Sequence, residues 1–164
     1  MDSGRVVYMN GVFVPESEAK ISIFDSALMF GDMVFEMTRS FNKEQFKLRE
    51  HLERLYIGIK LLHIPIDMTI DEMEQACLET IAKNDKVFSE QDEHRLMINV
   101  SRGPLGLYSS VFDGRIEPTV VIADFPLKWT VAAMAPLFDT GINAVIPSQR
   151  AIPASLMEPK IKNR

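Results

Sequence analysis

The segment that most constrains the fold is the stretch of residues 6–14, in which two β-rich runs flank an Asn-Gly pair. Val6-Val7-Tyr8-Met9 precedes Asn10-Gly11, and Val12-Phe13-Val14 follows it. Both central residues of a type I′ turn need positive φ, which Asn and Gly adopt more readily than other residues. The stretch therefore predicts an antiparallel hairpin, and Pro15 ends its second strand.

A strand pair and a helix follow this hairpin. Residues 34–41 alternate in part between apolar and polar side chains, and they are predicted to pair with residues 45–48 across a short turn. From Glu50 onward the apolar residues recur at helical spacing and form one face of a helix that Pro65 ends. The apolar residues on this face are Leu52, Leu55, Tyr56, Ile59 and Leu62.

A second helix is predicted to begin at a capping box. The Thr69 side chain can accept a hydrogen bond from the free N–H groups of the first turn, and Glu72 completes the box three residues later. This helix is predicted to run to about Lys83, with Asn84 as its stop. Residues 95–102 then alternate as a strand with one apolar face.

The order of these elements predicts an α+β fold, in which helices cover one side of a mostly antiparallel sheet. Residues 119–123 are apolar throughout, which predicts a central strand, and Phe125-Pro126 interrupts it. We therefore divide the chain into an N-terminal domain of residues 1–124 and a segment of residues 125–164 that begins a second domain. Within that segment, residues 142–146 predict a strand of a new sheet.

Composition and charge exclude several classes of function. The net charge of −5, without a basic cluster, argues against a nucleic-acid partner. The single Cys77 excludes an internal disulfide, and the three His do not form a ligand pair at helical spacing, so no metal site is predicted. No apolar run approaches the ~18 residues of a membrane-spanning helix, and no signal-peptide pattern is present. A cytoplasmic protein without a membrane partner is the expectation.

Three short motifs carry a resemblance to a known family. They are Phe30-Gly31-Asp32-Met33-Val34-Phe35-Glu36, His51-Leu52-Glu53-Arg54-Leu55 and Ile161-Lys162-Asn163. Each is moderately specific alone, and together they make the chain resemble the fold-type IV pyridoxal-phosphate enzymes, the class IV aminotransferase family. The resemblance implies the N-terminal two-layer domain of that fold plus the beginning of its second α/β domain, with pyridoxal 5′-phosphate as the cofactor.

The resemblance implies that Lys162 is the catalytic lysine, which also binds the cofactor covalently. Taken alone, a lysine at this place is most often a surface residue. A lysine amine becomes reactive toward an aldehyde when burial or a neighbouring cation favours its neutral form. Ile161 before it suits a partly buried site, whereas Lys160 lies on the other side of an extended chain and is the less favoured candidate.

The resemblance also assigns Arg54 to the cofactor phosphate and places Phe35 and Arg102 beside the substrate. A guanidinium presents a planar fork to a dianionic phosphate and keeps its charge at every physiological pH. Without the resemblance, Arg54 would be a solvated residue of a helix, Phe35 a core residue of a sheet, and Arg102 a surface charge at a strand end. His51 is assigned a structural role.

The favoured reaction is the transfer of an amino group between an amino acid and a 2-keto acid. Phe at position 35, and Leu107 where D-amino-acid aminotransferases carry an arginine, favour an apolar L-amino acid such as a branched-chain one. An aminodeoxychorismate-lyase-like activity would use the same lysine and stays open. The resemblance further implies a homodimer in which loops near residues 103–110 reach toward the partner's site.

The chain ends two residues after Lys162, whereas the resemblance implies a second domain of similar size. That domain would supply a glutamate to the pyridine nitrogen and backbone groups around the phosphate. We therefore expect a chain truncated after the catalytic lysine, most simply a fragment of a longer enzyme. A truncated paralogue that acts as a non-catalytic interaction module, and a small binding domain, are the alternatives. In the truncated chain, the strands near residue 120 and at 142–146 are expected to lack partners.

Overall fold

The computed structural model describes residues 3–114, 116–150, 152–153, 155, 158 and 161–162. In chain order its helices and strands are β1 (Val6–Met9), β2 (Val12–Pro15), α1 (Ser26–Phe30), β3 (Met33–Phe41), β4 (Glu44–Gln45), α2 (Leu48–Leu61), α3 (Ile70–Asp85), β5 (His94–Ser101), β6 (Thr119–Pro126) and α4 (Lys128–Thr140). The strands form one sheet in the order β2-β1-β6-β5-β3-β4, and every pair is antiparallel. The predicted α+β class is confirmed.

The hairpin of β1 and β2 forms at the predicted turn. Asn10 has φ 45° and Gly11 has φ 92°, as a type I′ turn requires. Asn10 also joins the hairpin to β6, because its side-chain oxygen accepts a hydrogen bond from Val120 N at 2.7 Å and its own N–H donates to Val120 O at 3.0 Å. The turn therefore sets both the hairpin and its place in the sheet.

The core lies between the sheet and the helices α2 and α3. Strand alternation sends every second residue of β5 toward the helices, and these residues are fully buried. The largest fully buried apolar side chains are Leu52 and Leu55 of α2, Met73 of α3, Leu96 and Ile98 of β5, and Ile122 of β6. The apolar helical stripe and the strand face therefore pack against each other as predicted.

The capping box of α3 forms as predicted. Glu72 N donates to Thr69 Oγ1 at 3.3 Å, and Thr69 N donates to Glu72 Oε2 at 2.7 Å. The helix continues past Asn84, the predicted stop, to Asp85. The buried Asn84 side chain instead bonds to both backbone groups of Val6, at 2.8 Å and 3.0 Å, and so attaches β1 to the end of α3.

Two predictions about β6 are wrong. The strand is not interrupted at Phe125 but continues to Pro126, which lies opposite His94 as the last pair of the ladder. A proline is tolerated there because the end of a strand can lack an N–H donor without losing an interior hydrogen bond. The strand is also not without partners, since β1 and β5 flank it. The domain division at residue 125 stays a prediction.

The prediction of a strand at residues 142–146 is also wrong. These residues are exposed and have no regular secondary structure, because no described strand lies beside them. The preceding helix α4 was not predicted, since Pro136 lies inside it and its apolar residues do not follow one helical stripe. The sequence also predicts a helix that begins around Ala154, which lies outside the described residues. Among the described helices, none combines the length and apolar character needed to cross a membrane.

Candidate active site

The carboxylate of Glu36 lies at the centre of a cluster of charged side chains. Strand alternation turns Glu36 toward the helices, and its side chain is completely buried. His51 Nδ1 lies 2.8 Å from Glu36 Oε2, and Arg54 donates from Nη2 to Oε2 at 2.8 Å and from Nε to Oε1. Lys162 Nζ donates to the same Oε2 at 3.3 Å. Three separate sequence motifs therefore meet at one carboxylate.

Helix α2 brings two of these groups to the carboxylate. His51 and Arg54 are three residues apart, so they lie on the same side of the helix. The buried residues Leu52 and Leu55 fix the rotation of the helix against the sheet. The polar pair therefore lies at the edge of the buried stripe, where it can reach Glu36 on β3.

The backbone of residue 162 lies against the edge of β3. Phe35 N donates to Lys162 O at 3.0 Å. The Lys162 amine lies 5.1 Å from the centre of the Phe35 ring, while Ile161 packs against the core. Phe35 therefore lies next to the amine, and its contact with substrate stays a prediction. Lys160, the less favoured lysine, lies outside the described residues.

The surroundings of Glu36 keep its carboxylate ionised. Burial alone would raise its pKa, but hydrogen bonds from Arg54 and His51 and the charge of Lys162 outweigh burial and lower the pKa from 4.5 to about 2. The hydrogen bond to Glu36 in turn raises the pKa of Arg54. One negative charge thus faces the two cations Arg54 and Lys162, and the cluster carries an excess of positive charge that suits an anionic ligand.

The side chains of the cluster fit pyridoxal phosphate. The cofactor needs an amine for its aldehyde and a fixed cation for its phosphate. The Lys162 side chain is 35% exposed, and that of Arg54 is 47% exposed. Within the described part of the chain, Arg54 Nη1 makes no hydrogen bond, so it is available to a phosphate oxygen while Nε and Nη2 bind Glu36.

Arg102 does not join this cluster. Its Nε donates to Asp32 Oδ2 at 2.7 Å, and its terminal nitrogens donate to Leu62 O at 2.6 Å and His63 O at 2.8 Å. These carbonyls lie at the C-terminal end of α2, where backbone acceptors lack helical partners. Arg102 therefore connects the end of β5 to α2 and to the turn before β3. Its contact with substrate stays a prediction.

Glu36 was missed from the sequence, because it lies in one of the three motifs but was assigned no role. A signal was present, because a glutamate on the buried face of a strand is rare unless cations pair with it. The second signal was Arg54, on the helix that follows the strand. Only the structure indicates that Arg54 and Lys162 both contact the carboxylate of Glu36.

The sequence of most of this chain matches a known protein family. Residues 33–164 match the family model described as amino-transferase class IV. The chain belongs to the class IV aminotransferase family. It is 37% identical over 161 residues (96% of this chain, 50% of the relative) to a Methanocaldococcus jannaschii protein provisionally named a branched-chain-amino-acid aminotransferase. It is 30% identical over 157 residues (92% of this chain, 48% of the relative) to the branched-chain-amino-acid aminotransferase of Escherichia coli K12.

A solved structure of a class IV aminotransferase confirms the fold. The branched-chain aminotransferase of the thermophilic archaeon Thermoproteus uzoniensis, solved with norvaline, superimposes with a TM-score of 0.71 and 25% identity, over 97% of this chain and 51% of that one. The chain therefore spans about half the length of the relatives that it matches. A further branched-chain aminotransferase structure, which contains pyridoxamine 5′-phosphate, superimposes with a TM-score of 0.74 and 27% identity, over 98% and 50% of the two chains. The fold described above is that of the N-terminal part of these class IV aminotransferases.

Proposed function

We propose that this chain is the N-terminal part of a pyridoxal-phosphate-dependent aminotransferase that moves an amino group between an amino acid and a 2-keto acid. The convergence of Lys162 and Arg54 on the buried carboxylate of Glu36 carries this proposal, because it brings an amine and a guanidinium into one cluster. The similarity to branched-chain aminotransferases supports an amino acid with an apolar side chain as one substrate.

Bound pyridoxal phosphate supplies a carbonyl carbon that reacts with amino groups and a conjugated ring that accepts the electrons of the substrate Cα–H bond. In its deprotonated form, the Lys162 amine would hold the cofactor through that carbonyl carbon. A Lys162 amine set free by the amine of a substrate would be the base placed to accept the substrate Cα proton. Glu36 keeps the amine close to the site by its 3.3 Å contact.

Arg54 would hold the phosphate of the cofactor. This contact would matter most whenever Lys162 does not hold the cofactor covalently, because the phosphate contacts would then keep it in the site. The two hydrogen bonds to Glu36 fix the plane of the Arg54 guanidinium before any ligand arrives. A guanidinium held in this way loses less conformational entropy on binding the phosphate. Phe35 forms an apolar wall beside the reacting amine.

We also propose that the protein acts as a homodimer. Several large apolar side chains are exposed on α1 and on the loop that follows β5, among them Leu28, Phe30, Leu107 and Val111. The two segments lie beside each other, since the rings of Phe24 and Tyr108 are 5.0 Å apart, and exposed apolar surface is typical of interaction sites. Sedimentation of the protein should give the mass of a dimer, and Leu107→Asp should shift it toward the monomer. A cytoplasmic location stays a prediction.

The proposed function is tested by the affinity for pyridoxal phosphate, followed by visible absorption. Arg54→Gln should weaken binding by about tenfold or more, because a charge-assisted contact to phosphate is lost. Arg49→Gln is the matched control, since Arg49 lies on the same helix but pairs with the surface residues Asp71 and Glu74. Equal affinities of the wild type and Arg54→Gln would contradict the role of Arg54.

A further inference from the structure

A cavity lies on the face of the sheet that helices α2 and α3 do not cover. Its floor includes a row of side chains that runs across the strands, since residues directly opposite each other point to the same face. Asn99 of β5 lies opposite Phe35 of β3 on one side and Val121 of β6 on the other. Val121 in turn lies opposite Met9 of β1. Residues 19–27, between β2 and β3, supply the facing wall, and the enclosed volume is about 290 Å³.

The lining of this cavity is mostly apolar. Its apolar members come from the strands and from residues 19–27, and they are Met9, Ala19, Ile21, Ala27, Met33 and Val121. Its polar members are Asp25, Asn99, Ser101 and Thr119. A cavity of this composition suits a ligand with an aliphatic body and few polar atoms.

Three of the polar side chains bind one another. Ser101 Oγ and Thr119 Oγ1 donate to the two carboxylate oxygens of Asp25, at 2.7 Å and 2.6 Å. Ala27 N also donates to Asp25 Oδ1 at 2.8 Å. Both hydroxyl hydrogens are therefore used within the protein, and the Asp25 carboxylate is almost completely buried among its own donors.

The side chain of Asn99 differs from these three. It is half-buried, and within the part of the chain that the structure describes its amide makes no hydrogen bond. A primary amide has two N–H donors and a carbonyl acceptor. The few polar groups of an otherwise apolar pocket fix the orientation of its ligand. Asn99 is therefore the group to which a ligand in this cavity can bind.

The charges around the cavity favour an uncharged ligand. None of the described lining residues is basic, and the one acidic residue among them is Asp25. A ligand carboxylate would lose hydration without gaining a cation and would face the Asp25 carboxylate. A ligand cation would gain no hydrogen bond from Asp25, because the oxygens of Asp25 already accept from Ser101, Thr119 and Ala27.

We propose that this cavity binds an uncharged aliphatic molecule that carries a primary carboxamide, and that Asn99 recognises the carboxamide. Two carboxamides pair through two N–H···O hydrogen bonds, in which each group donates once and accepts once. The aliphatic part of the ligand contacts Met33 and Val121. The inference goes beyond the proposed function and does not depend on it, because neither Lys162 nor Arg54 lines the cavity.

The test uses pentanamide as the probe. Butyl methyl ketone, which lacks the N–H groups, and pentanoate, which adds a charge, are its controls. Binding to the protein without pyridoxal phosphate is followed by NMR on the side-chain amide signals of asparagine. Pentanamide should shift the Asn99 signals saturably and bind about fivefold more tightly than either control, as expected for one additional hydrogen bond.

Two substitutions locate the site. Asn99→Leu should remove the preference for pentanamide over the ketone, whereas Asn143→Leu, at an exposed asparagine, should retain it. Val121→Phe should weaken the binding of pentanamide by about tenfold, because the larger ring occupies the cavity. The same substitution at Val12, which is exposed on β2, should leave the affinity unchanged.

Equal binding of pentanamide and butyl methyl ketone would overturn the inference. So would an unchanged preference in Asn99→Leu, or pentanamide binding that shifts no Asn99 signal. Val121→Phe keeps the test decisive if Asn99→Leu does not fold, because wild-type affinity for pentanamide in Val121→Phe would place the ligand outside the cavity.

Discussion

The amine of Lys162 lies 3.3 Å from the carboxylate of Glu36, although 126 residues separate the two along the chain. The same carboxylate binds Arg54 of α2, so that one buried acid fixes both the amine and the phosphate-binding cation. The geometry of the candidate site therefore depends on a residue that is not itself expected to react. Glu36 is a positioning residue.

Glu36→Gln should lower the stability of the protein at neutral pH. The variant should also lose less stability than the wild type when the pH is lowered. Because the folded-state pKa of Glu36 is about 2 and its ordinary value is 4.5, its stabilising effect is complete above pH 4.5 and is lost as the pH falls toward 2. We expect Glu36→Gln to lower the free energy of unfolding by about 2 kcal/mol at pH 7. Solvent screens the partly exposed cationic partners of Glu36, and this screening limits the loss. Urea unfolding from pH 2 to 7 measures both effects.

Glu90→Gln is the control for this substitution, because Glu90 is exposed and lies in a turn outside the site. It should leave both the stability and its dependence on acid unchanged. If Glu36→Gln lost stability between pH 4.5 and 2 as steeply as the wild type, the low pKa of Glu36 would be contradicted.

The protein should lose stability as the pH rises above neutral, because of His94. Its buried ring faces a carboxylate oxygen at each nitrogen, Asp124 at 2.8 Å and Asp85 at 3.0 Å. Burial opposes the charged ring, but the hydrogen bonds to Asp124 and Asp85 raise the pKa of His94 above its ordinary 6.5. This stabilisation is fully present below pH 6.5 and is lost as the pH passes the folded-state value.

His94→Gln should lack that decline and should be less stable than the wild type by about 2–4 kcal/mol at pH 6, because a buried acid loses its partner. Denaturant unfolding between pH 6 and 8.5 measures the decline. His63→Asn is the matched control, since His63 has φ 52°, which asparagine tolerates. A wild-type stability that stays constant across this pH range would contradict a charged His94.

Gly103→Ala and Gly114→Ala should differ sharply, although both glycines have φ 77°. A Cβ at Gly103 would lie 1.9 Å from Glu117 O, whereas a Cβ at Gly114 would meet nothing within 4 Å. We expect about 1 kcal/mol of lost stability at Gly114, from backbone strain alone, and more than about 3 kcal/mol at Gly103. Thermal unfolding compares the two. Equal losses would contradict the close approach of the two loops.

Thr69→Ala should lower the free energy of unfolding by about 1 kcal/mol, because it removes the side-chain half of the α3 capping box. Thr69→Ser is the control, since serine supplies the same oxygen and should retain most of the stability. Both are measured by denaturant unfolding. A serine variant as unstable as the alanine variant would indicate that the methyl group, rather than the hydroxyl, stabilises the helix start.

Local patterns were sufficient to predict much of this fold. The Asn10-Gly11 turn, the Thr69 capping box and the apolar face of α2 depend on residues within a few positions of each other, so the sequence alone contains the cause. The end of β6 and the state of residues 142–146 depend instead on which strands lie beside them. That information is not local, and those predictions were wrong.

The residues of the candidate site also divide into those that local motifs predicted and those that depend on distant parts of the chain. Lys162, Arg54 and Phe35 were predicted from motifs, and the structure brings these three together. Glu36 was missed because its role depends on cations supplied by α2 and by residue 162.

The most direct test of the account is to treat the protein with pyridoxal phosphate, reduce it with borohydride, and locate the modified residue by peptide mapping. We predict one dominant adduct, on Lys162. The adduct should vanish in Lys162→Ala and persist in Lys160→Ala, which removes the neighbouring amine. A dominant adduct on another lysine, or an equal yield in Lys162→Ala, would contradict the assignment of Lys162 as the cofactor-binding residue.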